Sequence, residues 1–338
     1  MTTETGAPAS TRQAQILLAS AAEYQAEQEA ERRKMIAAAL AIWATLDMKQ
    51  VWPSWTIGGL GSRIFLLLSA LMELVAADAN GYIRKTLADQ DLLYLGPNIN
   101  PLNFAGVASD GRDLEQLLRS AVIKVREAQR RGLSDEQARE RGRNFLELVL
   151  KTQVADAARA AESVSITVAE PETPAGKKVA VGFVRMLTPP SCGRCAVLAG
   201  KFYKWNSGFL RHPQCDCHHV PCTVAGSNEI LTNPYVYFNS LSEQEQDDLF
   251  GTAQAEAIRD GADVSQVVNA ARTAGSMFTA DDGKRYTNEG TTKRGFARKV
   301  SGRVLRPTVW QIYKDANGDK AAAIEQLRKF GFILPDAR

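Results

Sequence analysis

The chain has 338 residues, 45% of them hydrophobic and 23% charged, which is ordinary for a soluble globular protein and long enough for two or three domains. Its formal net charge is +3, too small a basic excess to imply nucleic acid by itself. The five cysteines are an odd number, so complete internal pairing is excluded.

The opening stretch MTTETGAPASTRQAQ has no apolar run of the secretory kind. Synthesis in a reducing cytosol is therefore expected, where clustered cysteines read as metal ligands before disulfides. Residues 1–10 read as a disordered tail, and 11–169 as an N-terminal helical domain. Its first helix is predicted from about Thr11 to Leu46, rich in Ala, Gln, Glu and Arg. This helix could pair with partner helices or pack on its own domain. Pro53, Gly58, Gly59 and Gly61 predict a break over Val51 to Ser62. The apolar run IFLLLSALM follows, nine residues between Arg63 and Glu73. A bilayer span needs about 20, so a buried core helix is expected, running to about Leu95, and no membrane. Gly96 to Asp113 reads as a loop. Leu114, Leu117, Leu118, Ala121, Val122 and Val125 repeat at helical spacing. Ser134 with Gln137 forms a capping-box pattern that opens a helix to about Ala161.

Residues 170–178 read as a linker, and Val179 to Leu187 as a strand. The segment 179–228 is the expected metal-binding β-unit. The remainder, 229–338, is predicted helical, with one helix over Glu243 to Asp260, another over Val264 to Ala271 and a pair within Pro307 to Phe330 broken at Asn317-Gly318. A basic loop spans 284–306. The predicted fold class is mainly α with one small zinc-ribbon-like β-unit, an α+β protein.

All five cysteines and all three histidines fall between Cys192 and Cys222. The spacing is C-x2-C-x16-H-x2-C-x-C-x4-C. Two residues between thiolates let the chain turn so that both sulfurs meet one ion, with Gly193 easing the turn. Cys192 and Cys195 are the first candidates. Two of His212, Cys215 and Cys217 would complete a four-ligand structural zinc, and which two stays open. Cys222 follows Pro221 and begins to leave the unit, and at most one of the adjacent His218 and His219 could join. Such a zinc contributes roughly 10–16 kcal/mol of apparent binding free energy, enough to hold a small β-unit with little core.

Enzyme patterns fit less well. An HNH nuclease needs a histidine downstream of His219, and none follows. A zinc deaminase needs H-x-E before P-C-x-x-C, and no phosphate-binding glycine loop occurs. Serine or cysteine hydrolases would have to borrow a histidine from the cluster itself. No catalytic residues are assigned, and the chain is not expected to be an enzyme.

The pattern CGRCAVLAGKFY…GFLRHPQCDCHHVP resembles the phage Mu F-like (MuF) minor capsid, or head morphogenesis, proteins, in the form found in tailed phages of actinobacteria. The matching positions are Cys192, Cys195, Leu198, Gly200, His212, Pro213, Cys215 and Cys217, with Asp216 where Arg is usual. The similarity extends over roughly 110–334. The resemblance implies a structural virion protein, made in the bacterial cytoplasm and housed in the capsid interior. Its implied partner is the portal, with a role in head morphogenesis or DNA packaging or ejection. Some relatives are labelled capsid maturation proteases. That activity is not carried over here but stands as the alternative, beside a zinc-stabilised DNA-binding virion protein. For the last, Lys284, Arg285, Lys293, Arg294, Arg298, Lys299 and Arg303 could touch encapsidated DNA. The same residues could form a solvated loop or dock on an acidic portal surface.

Overall fold

The computed structural model describes residues 12–187, 189–204, 217–227, 230, 233–271, 276–302 and 305–334. The expected tail over 1–10 lies outside them. Among the described residues the fold is mainly helical with two small antiparallel sheets of three strands. The chain divides into two compact units, one from 12–186 with 200–230, the other from 187–199 with 233–334.

The first unit is a helical bundle carrying one sheet. Its main helices are α1 (Arg12–Ala44), α2 (Val51–Thr56), α3 (Leu60–Ala88), α4 (Leu114–Arg130) and α5 (Asp135–Val168). The break expected at Val51 contains α2, because Pro53 sits in the first turn, where its missing N–H has no partner to lose. Val51 and Trp55 of α2 are buried. The apolar run lies within α3, whose 29 residues are long and apolar enough to cross a membrane by length and composition. Ile64, Leu68, Leu71, Met72 and Val75 form its buried face and pack with Trp43, Leu118, Val122, Val125 and Leu146 of α1, α4 and α5. Burying each large side chain contributes about 1.5–3 kcal/mol, while Leu66 and Leu74 of the same helix stay exposed.

The capping box forms as expected, with Ser134 and Gln137 satisfying each other's backbone N–H, and α5 runs seven residues past the expected end, to Val168. Gly142 lets α5 approach closely. A Cβ there would fall 2.5 Å from Val125 Cγ2 and 2.6 Å from Trp43 Cζ2. At the other end of the bundle lie β1 (Val181–Met186), β2 (Phe202–Lys204) and β3 (His218–Thr223), in the order β2-β1-β3. Val181, Phe183, Val184, Val220 and Cys222 share one core with Leu17, Tyr24, Tyr82, Ile83 and Ile166. The sheet therefore takes its stability from helices α1, α3 and α5.

The second unit opens with α6 (Gly193–Leu198) and continues with α7 (Pro234–Asn239), α8 (Glu243–Phe250), α9 (Thr252–Arg259) and α10 (Val264–Ala270). The single helix expected over Glu243 to Asp260 is two, because Gly251 adopts φ 91°, outside the helical region. Three strands follow: β4 (Met277–Thr279), β5 (Arg285–Thr287) and β6 (Arg306–Pro307), with α11 (Phe296–Ser301) between the last two. The expected basic loop over 284–306 thus carries part of a second sheet. The pair α12 (Val309–Ala316) and α13 (Lys320–Lys329) is split where expected, with Asn317 left-handed at φ 46°. Val197, Phe238, Ala255, Val264, Val267, Ile312, Leu327 and Phe332 form the core.

Candidate functional site: the cysteine and histidine cluster

The two halves of the motif fall in different units. The C-x2-C half opens α6. Just ahead of it, the Tyr237 hydroxyl accepts from the Ser191 N–H at 2.7 Å and donates to the Ser191 carbonyl at 2.8 Å. This pins the backbone that enters the helix. Cys192 is the N-cap, in extended conformation (φ −67°, ψ 160°), and Cys195 sits three residues on in the first turn. That spacing places both thiols on one side of the helix start. Cys195 is buried and Cys192 half-buried. Gly193 works differently from the expectation. It does not take a positive φ; instead, a Cβ there would lie 2.5 Å from Phe250 Cδ1. The glycine makes room for an aromatic ring rather than easing a turn.

The second half reaches the described residues at Cys217, and His212, Cys215 and Trp205 lie outside them. Cys217, His218, His219 and Cys222 are all buried. His218 and His219 pair with Met186 and Arg185 of β1, and Cys222 with Gly182. The burial of Cys222 pushes its thiol pKa up to about 12, so it is a protonated core group at neutral pH. Burial, aided by the Arg159 charge, pushes His218 down to about 3, which keeps this ring neutral.

Around these residues the helices supply a buried polar shell that the motif did not announce. His219 Nδ1 lies 3.0 Å from Glu162 Oε2 of α5, both side chains nearly inaccessible. The Tyr82 hydroxyl of α3 donates to the His219 carbonyl at 2.7 Å. Arg159 Nε donates to the Cys217 carbonyl at 3.0 Å and its Nη1 to Asp156 at 3.3 Å. Tyr24 of α1 stacks on Tyr82 with ring centroids 4.0 Å apart, and His219 lies 4.0 Å from the Phe183 ring. Burial, then the Glu162 charge, raises the phenol pKa of both tyrosines. Tyr24, Gln28, Arg159, Glu162, Cys217 and His218 line a cavity of about 20 Å³, room for about one water. A signal for this shell exists in the sequence: Arg159 and Glu162 are charged residues at helical spacing within the alanine-rich AARAAES.

Among the described residues no group of three His, Cys, Asp or Glu is arranged to hold a metal ion. The basic positions are also dispersed. Lys284 pairs with Asp315 at 2.8 Å, and the Arg285 guanidinium lies over the Trp310 ring at 4.3 Å. Lys293, Arg294 and Lys299 are exposed, Arg298 is partly buried, and Arg303 lies outside the described residues. Arg306, counted with them by charge, is a core residue. Its Nε donates to Phe330 O at 3.0 Å, its Nη2 to Gly331 O at 3.0 Å and its Nη1 to Glu289 O at 3.3 Å, and the group lies 3.7 Å from the Phe332 ring centroid.

Comparison with protein families, characterised proteins and solved structures finds no match to this chain.

Proposed function

We propose that the chain is a structural minor capsid protein of a tailed phage, of the MuF type. In this reading it is associated with the portal inside the head and acts in head morphogenesis or in DNA packaging or ejection. The observation that carries the reading is the pattern Cys192, Cys195, Leu198, Gly200, His212, Pro213, Cys215 and Cys217. A mainly helical chain with small antiparallel sheets is compatible with it.

In the same reading a structural zinc is held by Cys192 and Cys195 with two of His212, Cys215 and Cys217, giving a zinc-ribbon-like element. The donor set suits zinc, since thiolates and imidazole are its preferred protein ligands. The placement of Cys192 and Cys195 at the cap and first turn of one helix supports their joint use. The ion would act as a cross-link coupled to folding and would take no part in a reaction.

Quantitative mass spectrometry of purified virions tests the role. The expected result is a few copies of this chain per particle, with capsid-protein processing unchanged when its gene is deleted. Absence from virions would overturn the reading, and loss of capsid processing on deletion would establish the protease alternative.

A second reading, contact with encapsidated DNA, is favoured by the exposure of Lys293, Arg294 and Lys299. Reversing these three charges should weaken binding to duplex DNA and lower the slope of log K against log salt by about 1 for each lost phosphate contact. An unchanged slope would discard it.

A further inference from the structure

The three-residue strand β4 stands at the edge of the second sheet, in the order β4-β5-β6. Its hydrogen bonding alternates. The Asn288 N–H donates to Ser276 O and the Ala280 N–H to Lys284 O, at 2.9 and 3.0 Å. Positions 276, 278 and 280 thus spend their main-chain groups on β5. Those of Met277 and Thr279 point the other way, and among the described residues no strand pairs with that edge.

The same strand forms one wall of a groove of about 510 Å³. Beyond the strand it is lined by Ala253, Val267, Ala270 and Val309, with Trp310 at 39% exposure. A groove of this size lies in the range that accommodates a ligand. Arg285 is the single charged side chain among the described residues that line it. Its guanidinium is held over the Trp310 ring, and no carboxylate among the described lining residues neutralises it.

We propose that this edge and groove bind an extended peptide segment of a partner protein by strand addition to β4. The exposed amides and carbonyls of Met277 and Thr279 recognise main chain in the β conformation. The apolar groove takes alternate side chains, which on a strand all face one side. The isolated Arg285 selects an acidic side chain next to them, through a charge-assisted hydrogen bond. The fitting partner is therefore an extended segment that alternates apolar and acidic residues.

The test uses the full-length protein and three fluorescein-labelled short peptides, read by anisotropy. One alternates valine with glutamate, one replaces glutamate by lysine, and one is the glutamate peptide N-methylated on alternate amides. The glutamate peptide should bind saturably. N-methylation should weaken binding by at least about tenfold, because it removes the donors that β4 needs. Thr279→Pro should do the same from the protein side, since it deletes only the outward-facing N–H. Should that variant lose its circular dichroism spectrum, the N-methylated peptide on the native chain carries the same test. Arg285→Glu, at an exposed position, should reverse the preference toward the lysine peptide. Equal binding of the glutamate and lysine peptides, indifference to N-methylation, or no saturable binding up to about 1 mM peptide would overturn the proposal. So would self-association that Thr279→Pro abolishes, which would make the occupant a second copy of the chain.

Discussion

His219 and Glu162 face each other at 3.0 Å, one from the edge strand β3 of a three-stranded sheet and the other from the 34-residue helix α5. Both are almost fully buried. The contact ties the histidine half of the motif to a helix that begins more than eighty residues earlier in the chain. Truncating one member of such a buried pair removes a partner without restoring water. Glu162→Ala should therefore lower the stability of the unit by about 3 kcal/mol or more. Glu162→Gln, which keeps a side-chain oxygen at the same place, should cost less. Urea denaturation with intact m-values would measure both, and equal stabilities for the alanine variant and the parent would refute the assignment.

Gly193 predicts a packing effect rather than a metal effect. An alanine Cβ there would sit 2.5 Å from the Phe250 ring. Gly193→Ala should destabilise by about 1–3 kcal/mol, the usual range for overpacking. A second change, Phe250→Leu, should recover part of that loss. A double-mutant cycle by thermal unfolding checks the coupling, and strict additivity would count against direct contact.

The zinc reading separates the cysteines. Purified protein should carry about one equivalent of zinc, and Cys192→Ser or Cys195→Ser should remove most of it. Cys222→Ala should leave the zinc content unchanged while lowering stability, since this thiol is a buried, protonated part of the core. Elemental analysis decides the matter. Metal loss from the Cys222 variant, or a full equivalent retained without Cys192, would reassign the ligands.

Asp78 supplies a pH dependence. Burial first, then the neighbouring Glu27 charge, raises its carboxyl above the usual range. The folded state thus holds this proton more tightly than the unfolded state does. The resulting stabilisation is present at low pH and is lost as pH rises through the folded-state value, leaving a cost at neutrality. Asp78→Asn keeps an acceptor for Gln28, whose Nε2 donates to Asp78 at 2.8 Å. The site is partly exposed, so the gain at pH 7 should be only a few tenths of a kcal/mol. It should vanish near pH 3. A gain of the same size at both pH values would argue against the charge as its cause.

Long-period patterns made most of the helical frame readable. The α4 repeat from Leu114 to Val125, the capping box at Ser134 and the Asn317-Gly318 break all lie where local rules place them. What escaped were features decided by distant contacts. The strands β4, β5 and β6 have two or three residues each, too few to show alternation, and they exist because they pair with one another. Gly251 divides a continuous helical pattern by its backbone angle alone. Within the candidate site, the cysteine and histidine spacing was plain in the chain. Arg159 and Glu162 showed only as two charges in an alanine-rich helix, and Tyr24 and Tyr82 not at all, because their role depends on which helix face the sheet covers.

Arg306 shows what a buried charged residue can do with carbonyl oxygens as partners. Its guanidinium collects carbonyl groups from Glu289, Phe330 and Gly331 and an amide oxygen from Gln266. The Asp263 N–H also joins two of these stretches, donating to Phe332 O at 2.8 Å, and the Arg306 side chain ties all of them together within the second unit. Release of the segment around Phe330 would strand the guanidinium in an apolar interior, and the sheet, α10 and the terminal helix should then lose protection from hydrogen exchange together. The turn that follows α13 is in this sense a keystone, and the second unit should open as one body rather than fray from that helix.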